Sequence, residues 1–228
     1  MKLKEIFPGM YHIEFPNQYE LTSTMMRLQE FYESSFEEIR NQYFTVEQYM
    51  DLYAKEFGNF TYFSDWNGFN VPGSTIRKFF KLFCNVKSRH SHQYLIVKEK
   101  RLLRLLLPLV QSDANFYVIA THDDMSLQHE IAHGFWYLND KYQKEMKNLL
   151  SKYEYVEEFK EFLKRMGYGD NVLDDEVQAY LISCTKTYLK ERFKFKQTWK
   201  MPIEFKRVFE THKKEQEKIM KLKGTVTK

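Results

Sequence analysis

Along most of this chain apolar side chains recur every three or four positions, the spacing of amphipathic helices. Met25, Leu28, Phe31 and Tyr32 share one face of a helix opening at Thr22 or Ser23, and Tyr49, Met50, Tyr53 and Phe57 share one face of a second. The second helix carries its own boundaries: Thr45-Val46-Glu47-Gln48 fits a capping box, and Gly58 suits the stop. Ile76, Phe79, Phe80 and Phe83 follow a start at Ser74, and Lys98 to Val110 is leucine-rich and helical with Pro108 near its end. Two stretches break this rhythm. Met10 to Phe15 alternates loosely and Phe116 to Thr121 is β-branched and aromatic, so both predict short strands. Ser64 to Gly73 mixes turn formers with bulky rings and reads as a compact loop, its Trp66 and Phe69 pinning it to the core or, in a sharper reading, walling a substrate cleft.

Beyond Thr121, His122-Asp123-Asp124 supplies a turn and N-cap for a helix reaching about Leu138. Asp140 caps a segment carrying Tyr142, Met146, Leu149 and Leu150. The next helix carries Phe159, Phe162 and Met166 and stops at Gly167. Asn171 caps a helix with Val177, Tyr180, Leu181 and Ile182, and Trp199 and Pro202 precede a long charged final helix. The pattern predicts an α+β fold, predominantly helical, with a small antiparallel sheet beside the helix that follows Thr121. A chain of 228 residues with 17% aromatics can fill one core. We expect a single domain over 1–228, with a mainly helical part to residue 110 and a core part over 111–228.

Composition narrows the setting. Mean hydropathy is −0.61 and no apolar run approaches the roughly 18 residues of a membrane span. Met1-Lys2-Leu3-Lys4-Glu5 lacks a following apolar stretch, so no secretory signal is expected. Cys84 and Cys184 are expected to stay reduced in a cytoplasmic protein. The net charge of +4 is uneven: residues 190–228 carry +8 and the rest −4. Without a recognisable nucleic-acid-binding motif, that basic tail reads as a solvated helix face and not as a nucleic-acid contact. His90-Ser91-His92 reads as a polar connector.

The chemistry concentrates at His129-Glu130-Ile131-Ala132-His133. Histidines four apart on a helix sit one turn apart on one face and can reach a single ion, and the adjacent glutamate lies beside the open coordination position. This H-E-x-x-H spacing points to two zinc ligands and a general base. A third protein ligand is then required. Trp136 and Asn139 stand where an extended motif would place glycine and histidine, so the ligand is expected from a later helix. Glu176, 43 positions after His133, heads an apolar run in Asp174-Asp175-Glu176-Val177-Gln178-Ala179-Tyr180 and is the candidate. Small Ala179, at i+3, lets two helices approach around an ion.

On His129, Glu130, His133 and Glu176 with Ala179, about a quarter of the chain, the sequence resembles the gluzincin class of zinc metallopeptidases, the thermolysin-like group. That resemblance implies His129, His133 and Glu176 as ligands of one zinc per chain, Glu130 as base, and a peptide or protein substrate. The thermolysin-like pattern also has asparagine before the glutamate ligand and aspartate four residues after it; Asp175 and Tyr180 occupy those places here. Tyr180, Tyr188 and His212 are candidate donors to a developing oxyanion, Tyr180 equally a support for a ligand. Three other readings stand beside general peptide hydrolysis, the most remote a basic nucleic-acid-binding protein in which the motif is accidental; the nearer two are these. One is cleavage of a single regulatory protein, the habit of short cytosolic H-E-x-x-H proteins similar to repressor-cleaving stress peptidases. The other is a non-catalytic metal-stabilised helical module that binds a partner.

Overall fold

The computed structural model describes residues 1–83, 95–166, 168–193 and 203–226. The expectations at Cys84, His90-Ser91-His92, Gly167, Trp199 and Pro202 lie outside the described residues. The fold is α+β and 67% helical, with one four-stranded sheet. The strands are β1 (Lys2–Phe7), β2 (Met10–Glu14), β3 (Gly68–Pro72) and β4 (Tyr117–Thr121), in the order β1-β2-β4-β3. Each residue of β4 is buried, which suits the strand flanked on both sides.

The sheet is mixed, not antiparallel throughout. β2 runs parallel to β4, with Met10 opposite Tyr117 and Glu14 opposite Thr121, whereas β3 runs antiparallel to it. Parallel partners need a long crossover. Here that crossover contains α1 (Gln18–Glu33), α2 (Val46–Phe57), α3 (Tyr62–Asp65), α4 (Gly73–Phe83) and α5 (Val97–Gln111). The stretch expected as a loop contributes α3 and β3, and Phe69 on β3 is 2% exposed within the core. Phe69 therefore cannot wall a cleft; Trp66 remains exposed.

The chain forms two compact units. The first comprises Met1–Glu5 with Gly9–Asp124, and the second Ile6–Pro8 with Met125–Lys228. In the first, Leu21, Met25, Leu28, Phe31, Phe79, Phe83, Leu102 and Leu106 build a core rich in aromatic rings. α1 starts earlier than its apolar stripe suggests, because Asn17 caps it by accepting from the Glu20 N–H at 2.9 Å. Thr22 and Thr24 stay inside this helix by turning their hydroxyls onto the carbonyls of Gln18 and Glu20. The capping box at Thr45 and Gln48 is present, and Gly58 ends α2 at φ +86°. At Gly73 the backbone presses on β4: its N–H donates to the Phe116 carbonyl at 2.8 Å, and a Cβ there would meet that oxygen at 2.7 Å.

The second unit contains α6 (Asp124–Leu138, from Met125), α7 (Asp140–Leu150), α8 (Tyr155–Arg165), α9 (Leu173–Ser183), α10 (Lys186–Phe193) and α11 (Ile203–Val226). α9 packs against α7, α8 and α11. Phe135, Tyr142, Met146, Phe159, Leu163, Val177, Leu181, Phe205 and Phe209 fill this core. Asn139, one residue before the expected cap, accepts from the Tyr142 N–H at 3.0 Å and starts α7. α9 begins without a side-chain cap at Val172. No described helix is long and apolar enough to cross a membrane.

Candidate metal centre

Two helices of the second unit make the site. On α6, four-residue spacing brings the rings of His129 and His133 together edge to face, their centroids 4.7 Å apart and their Nε2 atoms 3.1 Å apart. On α9, Glu176 faces both: its Oε1 lies 3.6 Å from His133 Nε2 and its Oε2 lies 3.7 Å from His129 Nε2. His133, Glu176 and Glu130 are buried, and His129 is partly exposed.

Hydrogen bonding decides which imidazole nitrogens face inward. Ser183 Oγ donates its proton to the Ala179 carbonyl at 2.7 Å, so at 3.1 Å from His129 Nδ1 it can only accept. His133 Nδ1 lies 2.9 Å from Asp175 Oδ1, again a donor to an acceptor. In their neutral forms both histidines are thereby held with N–H at Nδ1 and a lone pair at Nε2. In the neutral pair two lone pairs at 3.1 Å repel unless a positive charge lies between them, a proton on one Nε2 or a shared cation, and the Glu176 Oε2 beside them is buried with no hydrogen-bond partner. A shared cation resolves both problems. Tetrahedral zinc with donors at about 2.0–2.2 Å places those donors about 3.3–3.6 Å apart, close to the separations found here. Two imidazoles and a carboxylate, each offering one atom, are a donor set zinc accepts.

The field has the same sign. Burial opposes charge on His133, but Asp175 and Glu176, with Glu130 adding, override it and hold the imidazolium well above the ordinary histidine range. Burial also works against charge on Glu176, yet His133 and His129 bring its carboxyl below the usual value. Three carboxylates around two imidazoles favour positive charge in the gap between them.

Of the remaining candidates, Tyr180 meets this pair, and Tyr188 and His212 lie among other partners. The Tyr180 ring packs on His129 at 4.7 Å and its hydroxyl lies 3.0 Å from that of Tyr168. Burial pushes the Tyr180 phenol up. Tyr188 is exposed on α10. His212 is buried on α11 with its ring nitrogens 3.2 Å from Asn139 Nδ2 and Glu145 Oε2, partners on or next to α7. Asp175 and Ser183, which orient the two histidines, escaped the sequence reading. The signal for Ser183 lay in the helical period: 176, 179, 180 and 183 form one face of α9, and it is this face that meets His129.

Comparison of the chain with protein-family models, with curated proteins and with solved structures finds no match.

Proposed function

We propose that this chain is a zinc-dependent hydrolase, a metallopeptidase in reaction type, holding one zinc through His129, His133 and Glu176. The observation that carries the reading is the convergence of His129 Nε2, His133 Nε2 and the buried Glu176 carboxylate, one oxygen of which has no hydrogen-bond partner. Three protein ligands leave a position for water, as catalytic zinc sites do and four-ligand structural sites do not. Zinc bound there supplies Lewis acidity, bringing the pKa of its water to about 7 and polarising a carbonyl oxygen.

The protein's own part follows from its residues. Glu130, buried and next in sequence to His129, takes a proton from the attacking water and delivers it to the leaving amine. Asp175 and Ser183 hold the imidazoles in the ligating tautomer. Tyr180 supports the ring of His129, the second of the two roles its place on α9 suggests. The substrate class is a peptide or protein amide, and the free thiol of Cys184 fits a reducing, cytoplasmic setting.

Elemental analysis tests the site: about one zinc per chain in the wild type, lost in His133→Ala and in Glu176→Ala. Glu130→Gln then tests the chemistry. It should keep zinc and lower peptide hydrolysis by about 10²–10⁴-fold, the usual contribution of a positioned base. Undiminished turnover in that variant would exclude Glu130 as the base. Zinc binding with no hydrolysis by the wild type would favour the metal-stabilised interaction module.

A further inference from the structure

Behind Asp175 lie two buried polar groups that the hydrolytic reading does not use, Gln178 and Tyr142. Asp175 Oδ1, 2.9 Å from His133 Nδ1, also accepts from Gln178 Nε2 at 2.9 Å. Gln178 is fully buried, and its Oε1 accepts from the Tyr142 hydroxyl at 2.7 Å. Tyr142 stands on α7, fully buried, with its ring edge-on to Phe135 of α6 and to His212 of α11. The line of hydrogen bonds thus begins on a helix that contributes no ligand and ends on the metal-binding imidazole.

Each link fixes the next. A tyrosine hydroxyl has one proton, and here it goes to the Gln178 carbonyl oxygen. That orients the amide with its NH2 toward Asp175. With a donor from Gln178 and a donor from His133, Asp175 Oδ1 has both of its approach directions filled. Its carboxylate is held in place, and the His133 ring is held against it.

We infer that Tyr142 and Gln178 are positioning residues for the metal: through Asp175 they set the orientation of His133 and hence the affinity of the centre for zinc. The inference rests on the metal reading above. Its distinctive content is that zinc affinity depends on a hydroxyl of α7 that touches none of the three ligands.

Tyr142→Phe isolates that hydroxyl, since it keeps the ring and its contacts with Phe135 and His212. The measurement is zinc dissociation constant, by competition with a chromophoric chelator, on the full chain as wild type, Tyr142→Phe, Asp175→Asn and the double variant. Outer-shell partners of a ligating histidine typically contribute about 10–100-fold in metal affinity. We expect a loss in that range for Asp175→Asn and a several-fold loss for Tyr142→Phe. In the double variant the hydroxyl should cost nothing further, because its path to the metal is already cut. The ¹H–¹⁵N signal of the His133 Nδ1 proton should broaden or shift in Tyr142→Phe, which a purely packing role would not cause. A dissociation constant within twofold of wild type in Tyr142→Phe overturns the inference, as does a full Tyr142→Phe effect in the Asp175→Asn background. Were wild-type protein itself to bind no zinc, the metal reading would fall and this inference with it. If Tyr142→Phe unfolds, Gln178→Glu replaces it, with the same affinity loss expected and the same twofold threshold.

Discussion

Ser183 has one proton to give, and it goes to the Ala179 carbonyl; everything else that oxygen does is as an acceptor. Ser183→Ala should therefore free His129 to adopt the other tautomer and weaken zinc binding about tenfold, while the His133 side of the centre, held by Asp175, is untouched. Titration of the variant with zinc would show it, and unchanged affinity would mean that Ser183 does not set the tautomer. A second residue makes a prediction for the first unit. Glu30 is buried in the first unit, and burial pushes its carboxyl above the ordinary carboxylate range. A raised acid keeps its proton in the folded state where the unfolded chain has lost it. Its contribution to stability is complete below about pH 4.5 and is lost as pH rises through the folded pKa. Glu30→Gln should then melt with the wild type near pH 4 and above it at pH 7, read by calorimetry; an equal difference at both pH values would contradict this. At this scale the sequence was legible where spacing alone carries chemistry: His129, Glu130 and His133 declare themselves within one helical turn. Asp175 and Ser183 do not, because acidic and hydroxyl residues on helices usually have local duties, and only a partner helix turns them into supports.

Arg27 of α1 and Glu99 of α5 join two elements through the first unit's interior. Both are almost fully buried, with the guanidinium forked onto the carboxylate and its third nitrogen on the Phe44 carbonyl at 3.0 Å. Glu99 also accepts the Ile96 N–H that begins its own helix. Removing one partner strands a charge, so Arg27→Ala should cost about 3–5 kcal/mol, whereas Arg27→Met with Glu99→Leu should cost far less. Urea unfolding at constant slope would measure both; equal losses would show that the pair is no more than packing. Neither residue stands out along the chain, since charged side chains at helical spacing ordinarily face water. The helices themselves were readable from their apolar stripes, and α2 down to both of its caps. The strands were less so. β3 hides among turn formers because its place beside β4 is set by pairing and not by its own propensity, and the orientation of β2 against β4 depends on a crossover that no local pattern records.

For the molecule as a whole, the residues proposed to hold zinc lie in the second unit and most of the sheet in the first. All three proposed ligands and their supports belong to the second unit, so zinc should stabilise that unit directly. At a hundredfold excess over its dissociation constant the gain is about 2.7 kcal/mol. Hydrogen exchange with and without zinc should slow amides of α6 and α9 first, and equal slowing in α1 and α2 would speak against a centre confined to the second unit. The sheet carries a different consequence, for the order in which the protein is made. A ribosome releases β2 more than a hundred positions before its parallel partner β4, and Phe7 before the Phe135 ring it packs against at 5.0 Å. At about 5–20 residues per second, the opening hairpin waits roughly 5–20 s with an unpaired edge. Nascent chains arrested before Thr121 should therefore be protease-sensitive and bound by chaperones, because β2 is made long before the strand that places it.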